Sequence, residues 1–215
     1  MKAILISDHA KWCALMMLGI KKIEVRKGTA LYKATKKLID EYGYAEFYVF
    51  CTRKKATRRE DMFTKGCNIW FNKGYAMNRQ YLMNGKVVFK FRCYKVEEIK
   101  FHCLTKTNAY GVQRIEATFT TQTLSFTGLK KLSCLTGDNL MKYLNDNDGY
   151  AIHISDLEIF DKPKELSEFK HYKKFSEIDY MLPIPRKETC ERLVALTKAP
   201  QSWCYIHSIK GGNPL

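Results

Sequence analysis

Short apolar runs, each ended by polar or turn-forming residues, most constrain the fold of this chain. In several of them apolar and polar side chains alternate, which is the period of a strand with one buried face. The run at 45–52 is apolar and aromatic throughout and predicts a central strand. The predicted strands are residues 1–7, 20–27, 45–52, 87–101, 150–166 (closing with an Asp-Lys-Pro turn) and 202–209.

Three segments have the composition of helices. Residues 8–18 begin with a capping-type Asp8 and are followed by Gly19, and residues 29–43 carry spaced apolar side chains between a Thr and a Gly. A short helix is predicted within 134–149, with Thr136 or Asp138 near its start. Because strands outnumber helices, we expect an α+β fold: a small, mostly antiparallel β-barrel decorated by two or three helices.

Two stretches have no clear period. Residues 104–130 are rich in Thr and Gln and predict one or two strands or a long loop. Residues 165–200 are polar, contain three prolines, and are expected to wrap the surface. At 215 residues, the chain 1–215 is expected to form a single domain.

Composition restricts the compartment and the chemistry. No apolar run approaches the length of a membrane span, and the first residues do not resemble a signal peptide. The eight cysteines are scattered singly, which predicts no zinc site and a reducing, cytoplasmic location. No phosphate-binding glycine loop occurs either, so neither a metal nor a cofactor is expected.

The net charge is +15, from 37 Lys and Arg against 22 Asp and Glu, and it favours a polyanionic partner. Nucleic acid is preferred to a membrane surface because no strongly basic amphipathic helix stands out. The most basic segment is 53–81, where cations alternate with aromatic residues, as in proteins that bind single strands. The alternative is a solvated loop. The predicted nucleic-acid contacts there are Arg53, Lys54, Lys55, Arg58, Arg59, Lys73 and Arg79.

The run GIKKIEVR, residues 19–26, places three charged side chains on or beside one strand. Strand alternation puts Glu24 and Arg26 on one face and Ile23 and Val25 on the other. Arg26 offers a planar fork to a phosphate, Lys21 a second cation, and Glu24 an acceptor or base. The alternative is a surface ion pair of little energetic value.

This run fits the pattern G-x-K-x-x-E-x-R and, placed after an N-terminal strand and helix, resembles the ASCH domain of the PUA-like superfamily. The segments ISDHAKWC, YAIHISDLEIFDKPKELSEF and APQSWCYI are similar to a bacteriophage-associated group from Gram-positive hosts. Three features depart from the family: Asp8-His9-Ala10 replaces an expected Ile-x-Pro run, 29–43 looks enlarged, and the insertion-like segment 53–81 has no counterpart.

The resemblance implies a PUA-like barrel with a cleft floored by the motif, and a ligand that is RNA or a nucleotide. Gly19, Lys21, Glu24 and Arg26 would hold a base or a phosphate. In an enzyme of this family Lys21 and Glu24 would be catalytic. Glu24, however, stands where the family's amidohydrolases of acylated cytidine have a Thr, which counts against that activity and leaves ribonuclease as the better enzymatic alternative.

Two further side chains are candidates for the pocket. Trp12 lies just before the motif strand and is suited to stack on a base, although tryptophan in an apolar run is also typical of a core. His153, between two isoleucines, is either a general base or a satisfied core histidine.

The sequence therefore predicts a cytoplasmic RNA-binding protein of the ASCH type. Two alternatives stay open: a hydrolase, either a ribonuclease or an amidohydrolase of a modified nucleoside, and a phage accessory protein that binds a host protein. The sequence leaves open whether the chain is an enzyme, and its oligomeric state.

Overall fold

The computed structural model describes residues 2–52, 83–107, 110–111, 113–145, 147–179 and 186–207. In this part of the chain eleven strands and four α-helices occur, and the strand pairs are mostly antiparallel, so the α+β prediction is confirmed with one helix more than expected. The helices are α1 (Ala10–Met17), α2 (Thr29–Tyr42), α3 (Phe126–Ser133) and α4 (Gly137–Leu144). The strands are β1 (Lys2–Asp8), β2 (Ile23–Arg26), β3 (Ala45–Cys51), β4 (Lys86–Cys93), β5 (Val96–Thr107), β6 (Gln113–Thr120), β7 (Gly149–His153), β8 (Ser155–Lys164), β9 (Lys170–Asp179), β10 (Arg186–Ala195) and β11 (Trp203–His207).

The chain divides into two compact units, and the first comprises Met1–Lys11, Glu46–Lys90 and Ile159–Leu215. Its principal sheet has the strand order β11-β1-β3-β4-β8, with β1 parallel to β3 and antiparallel to β11. As predicted, β3 is central and buried along its whole length. Tyr48 and Phe50 pack there against Phe169 in the core of this unit.

The second unit comprises Trp12–Ala45 and Phe91–Glu158. Its sheet has the order β2-β7-β5-β6, and the strand pairings that fix the register are antiparallel. Ile23 and Val25 of β2 face a core formed with side chains of β5, β6, α3 and α4. The prediction that Ile23 and Val25 share the apolar face of β2 is therefore confirmed.

Two predicted strands are interrupted. The run 87–101 ends as β4 at Cys93 and resumes as β5 at Val96, and the run 150–166 divides into β7 and β8 around Ile154. A backbone hydrogen bond lies at each break. The amide of His153 donates to the carbonyl of Lys95 at 3.1 Å, and the amide of Ile154 donates to the carbonyl of Lys22 at 2.9 Å. The predicted Asp-Lys-Pro turn was wrong, because these residues lie inside β8.

The two stretches without a clear period also contain regular structure. The segment 104–130 holds the end of β5, β6 and the start of α3, while the polar segment 165–200 holds the antiparallel pair β9 and β10. A short 3₁₀ helix, Leu166–Glu168, precedes β9. Among the helices described, none is both long and apolar enough to span a membrane.

Candidate functional site

The motif begins where α1 ends. Gly19 adopts a left-handed backbone with φ of 68°, a conformation that glycine accepts without steric cost. The amides of Ile20 and Lys21 both donate to the carbonyl of Leu15, at 2.9 and 3.0 Å. Gly19 thus has a backbone role: it turns the chain from α1 toward β2.

The three charged side chains of the motif form one network. Nζ of Lys21 lies 3.3 Å from Oε2 of Glu24, and Nε of Arg26 lies 2.8 Å from Oε1 of the same carboxylate. Their side chains are only 2%, 7% and 10% exposed for Lys21, Glu24 and Arg26 respectively. The alternative of a solvated surface ion pair is therefore wrong.

Two further contacts hold Lys21 in this network. Its ammonium donates to the backbone carbonyl of Ser133 at 2.8 Å, and it lies 5.0 Å from the ring centre of the half-buried Trp12. A cation at the last residue of α3 is favourable because the end of a helix carries partial negative charge and unpaired carbonyls. The structure thus brings Trp12 and the motif together, and contact of this network with a ligand stays a prediction.

His153 does not join the motif. In the pairing of β2 with β7, His153 stands opposite Ile23, while Ile152 stands opposite Glu24. Directly opposed residues of an antiparallel pair project to the same face of the sheet. His153 therefore lies on the apolar face of Ile23 and Val25, away from the face of Glu24 and Arg26.

The partner of His153 is Glu97 on β5, a residue that sequence reasoning missed. Nε2 of His153 lies 2.6 Å from Oε2 of Glu97, whose side chain is 1% exposed. The same carboxylate accepts from the amide and hydroxyl of Thr123 and lies 3.3 Å from Nζ of Lys95. Burial raises the pKa of Glu97, but the hydrogen bonds from Thr123 and His153 and the charge of Lys95 outweigh it, so the pKa lies below its ordinary value.

A second missed feature is an exposed cluster at the end of β4. The guanidinium of Arg92 lies 4.6 Å from the ring centre of Tyr44, and the rings of Tyr44 and Tyr94 are 6.0 Å apart. Asp156 accepts a hydrogen bond from the hydroxyl of Tyr94 and lies 3.8 Å from the guanidinium of Arg92. Burial of Phe91 and Cys93 turns the alternate residues Arg92 and Tyr94 to solvent, and this alternation was the available sequence signal.

The exposed side of α2 carries cations. Lys33, Lys36 and Lys37 line a shallow depression together with Asp40 and Glu41, while Leu31, Ala34 and Leu38 are buried on the other side. No acidic residue occupies the first turn of this helix. The lysines therefore occupy the middle turns of α2, and the two acids lie in its last turn.

The predicted contacts in the basic segment lie outside the described residues, so Arg53, Lys54, Lys55, Arg58, Arg59, Lys73 and Arg79 stay predictions. Within the described ranges, no three His, Cys, Asp or Glu side chains converge in a way that could hold a metal ion. A cavity of about 300 Å³ lies in the first unit, lined among others by His171, Tyr172 and His207.

No protein-family model matches this chain, and no curated protein is significantly similar to it.

Proposed function

We propose that this chain binds single-stranded RNA, and that its fold is a PUA-like barrel of the ASCH type. The observation that carries the binding proposal is the cluster of exposed Arg92 and Tyr94 with the half-buried Tyr44, in a chain of net charge +15. The barrel and the preference for RNA rest on the resemblance of the GIKKIEVR run and of the segments around it. The α+β, mostly antiparallel architecture is compatible with such a barrel.

The cluster offers flat surfaces to unpaired bases. The side chain of Arg92 is 45% exposed, and Tyr94 is 46% exposed. Single-stranded nucleic acid is bound by stacking bases on aromatic rings and on the planes of guanidinium groups. Asp156 contacts both side chains and limits their rotation, so less conformational entropy is lost when a base stacks on them.

Phosphate contacts are assigned to the lysines of α2. Lys33, Lys36 and Lys37 are exposed, and α2 ends at Tyr42, two residues before Tyr44. Cations of this kind release counterions from the phosphate backbone and make binding sensitive to salt. The buried network of Lys21, Glu24 and Arg26 supports β2 and the end of α3 in this proposal, and the exposed residues make the first contacts with the ligand.

The proposal is tested by fluorescence anisotropy with a labelled single-stranded RNA and the matching DNA across a salt series. Replacing Tyr94 by Ala should weaken binding by about 1–3 kcal/mol, roughly 5- to 150-fold, with little change in the salt dependence. The triple variant K33Q/K36Q/K37Q should instead flatten the salt dependence, by about 0.7 in log–log slope for each phosphate that no longer pairs with a lysine.

Two matched controls separate a defined surface from bulk charge. Tyr110→Ala removes another exposed tyrosine, 91% accessible, and K162Q/K170Q/K198Q removes three exposed lysines from the first unit. Both controls should bind nearly as the unaltered chain does. Equal weakening by the control and test variants, or no salt-sensitive binding to either polymer, would contradict the proposal.

A further inference from the structure

The carboxylate of Glu97 orients the imidazole of His153 as a carboxylate orients a histidine that acts as a general base. The carboxylate is almost fully buried, whereas the imidazole side chain is 24% exposed. Nε2 of His153 is hydrogen-bonded to Oε2 of Glu97 at 2.6 Å, and the structure shows no partner for Nδ1 within the described part of the chain. A hydrogen bond to one ring nitrogen determines which tautomer the other presents, so Nδ1 is the nitrogen available to accept a proton.

Glu97 is itself held firmly. Thr123 donates to it through its backbone amide at 3.1 Å and through its hydroxyl at 2.9 Å, and the hydroxyl of Thr121 donates at 3.3 Å. These contacts come from the connection between β6 and α3, while Glu97 lies on β5 and His153 ends β7. The connection between β6 and α3 therefore holds the carboxylate of β5 in place, and this carboxylate orients the imidazole at the end of β7.

A cation lies beside the imidazole. Nζ of Lys95 is 3.3 Å from Oε2 of Glu97, the same oxygen that Nε2 of His153 contacts, so the ammonium and the imidazole lie next to each other. The side chain of Lys95 is 46% exposed, and it also donates to the hydroxyl of Thr123 at 2.9 Å. An ammonium in this position can stabilise negative charge that develops on a phosphate.

The protein offers no activated nucleophile to this base in its immediate, described surroundings. The thiol of Cys93 donates to the carbonyl of Lys95 at 3.1 Å, and burial raises the pKa of Cys93 to about 12. A protonated, hydrogen-bonded thiol does not attack a substrate at neutral pH. The hydroxyls of Thr121 and Thr123 already donate to Glu97. The attacking group must therefore come from the substrate or from water.

We propose that His153 and Glu97 form a ribonuclease site in which His153 is the general base for the ribose 2′-hydroxyl. Nδ1 of His153 takes the 2′-hydroxyl proton while the 2′-oxygen bonds to the adjacent phosphorus. The bond from phosphorus to the 5′-oxygen breaks, that oxygen takes a proton from water, and the protonated imidazole returns its proton to the hydroxide so formed. The products are a 2′,3′-cyclic phosphate and a 5′-hydroxyl, with no change of oxidation state.

Glu97 is a positioning residue in this reaction, because it holds the imidazole in the required orientation and tautomer without touching the substrate. Lys95 faces the phosphate. The inference rests on the proposed binding of RNA and adds a reaction to it, at a place separate from the GIKKIEVR motif.

The test uses the full chain and an oligodeoxynucleotide that contains one ribonucleotide, beside its all-deoxy counterpart. Both oligonucleotides report binding, and the first alone carries a 2′-hydroxyl. We expect cleavage only at the ribonucleotide, with a cyclic phosphate on the product. Replacing His153 by Ala should slow it at least 100-fold with KM little changed, and added imidazole should restore part of the rate.

Further variants separate catalysis from folding. Glu97→Gln keeps a hydrogen-bonding side chain without the charge and should lower kcat more than tenfold, at unchanged binding and circular dichroism. His102→Ala is the matched control, since His102 is exposed and contacts Thr120. Bound but uncleaved oligonucleotide, cleavage that His153→Ala leaves intact, rates that imidazole does not restore, or a 5′-phosphate product would overturn the inference.

Failure of the binding proposal gives a different result. If neither oligonucleotide binds, a dinucleoside monophosphate is assayed at millimolar concentration, where polymer affinity is not needed. His153-dependent formation of its cyclic phosphate would support the inference while the binding proposal fails. No turnover of the dinucleotide would overturn the inference as well.

Discussion

Nζ of Lys21 donates to the backbone carbonyl of Ser133 at 2.8 Å, across 112 residues of sequence, and lies 3.3 Å from Glu24. The motif strand β2 and the end of α3 are therefore joined by one buried cation. Because the ammonium serves a carboxylate and a helix end together, its removal leaves the Ser133 carbonyl without this donor and takes one of two cations from Glu24.

Replacing Lys21 by Met should destabilise the fold by about 3 kcal/mol. This is the lower end of the usual range for breaking a buried ion pair, because Arg26 still neutralises Glu24. Urea unfolding followed by circular dichroism measures the change. Lys22→Met is the control, since Lys22 is exposed and should change stability by less than about 0.5 kcal/mol.

Replacing Glu24 by Gln should be at least as damaging, because two buried cations lose their common counter-charge. The double variant with Lys21→Met should lose clearly less stability than the sum of the losses of the two single variants, as expected for residues in one network. Additive losses would show that Lys21 and Glu24 are not energetically coupled.

The stability that Glu97 contributes should depend on pH. Because the pKa of Glu97 is lower in the folded chain than its ordinary value of 4.5, the folded state binds fewer protons than the unfolded state near that value. The contribution is complete above the ordinary pKa and is lost as the pH falls through the lowered one. Glu97→Gln should therefore cost about 2 kcal/mol at pH 7, and the difference should shrink steadily below pH of about 4.5.

Urea unfolding of both proteins at a series of pH values measures this difference. Glu98→Gln serves as control, because Glu98 is partly exposed and pairs with Lys100 at the surface. Its effect should be within about 1 kcal/mol, as for other surface ion pairs. A constant difference between the unaltered chain and Glu97→Gln would show that the Glu97 carboxylate is not selectively stabilised by folding.

The N-cap of α4 should be worth about 1 kcal/mol. The hydroxyl of Thr136 accepts from the amide of Asn139 at 3.1 Å, which satisfies one of the free donors of the first turn. Thr136→Ala removes this acceptor, while Thr136→Ser keeps it. Thermal unfolding should separate the two variants, with the Ser protein close to the unaltered chain.

Two thiols should resist alkylation. Burial raises the pKa of Cys93 to about 12 and that of Cys204 to about 11, so neither thiol ionises appreciably at pH 8. Among the cysteines whose burial the structure describes, Cys103 is the exposed one and should react first with iodoacetamide. Peptide mass spectrometry at timed intervals measures the order, and equal rates for Cys93 and Cys103 would contradict the buried position of Cys93.

Local patterns were sufficient for most elements. The helix α2 was predictable because its buried side chains, Leu31, Ala34 and Leu38, recur at helical spacing between two glycines. The cap at Thr136 followed from residue type. The interruption of the run 87–101 was not predicted, although the alternation of side chains breaks at Lys95, where an apolar residue would continue it. The amide of His153, far along the chain, contacts the break there.

The sequence by itself determined that Ile23 and Val25 share one face of β2 and that Glu24 and Arg26 share the other, because the two-residue period is a property of the extended backbone. Only the tertiary structure decided that the charged face is buried. Its burial depends on groups distant in sequence, such as the carbonyl of Ser133 that receives Lys21. The strand register likewise decided that His153 meets Glu97 instead of the motif, since no local pattern specifies which strand becomes the neighbour.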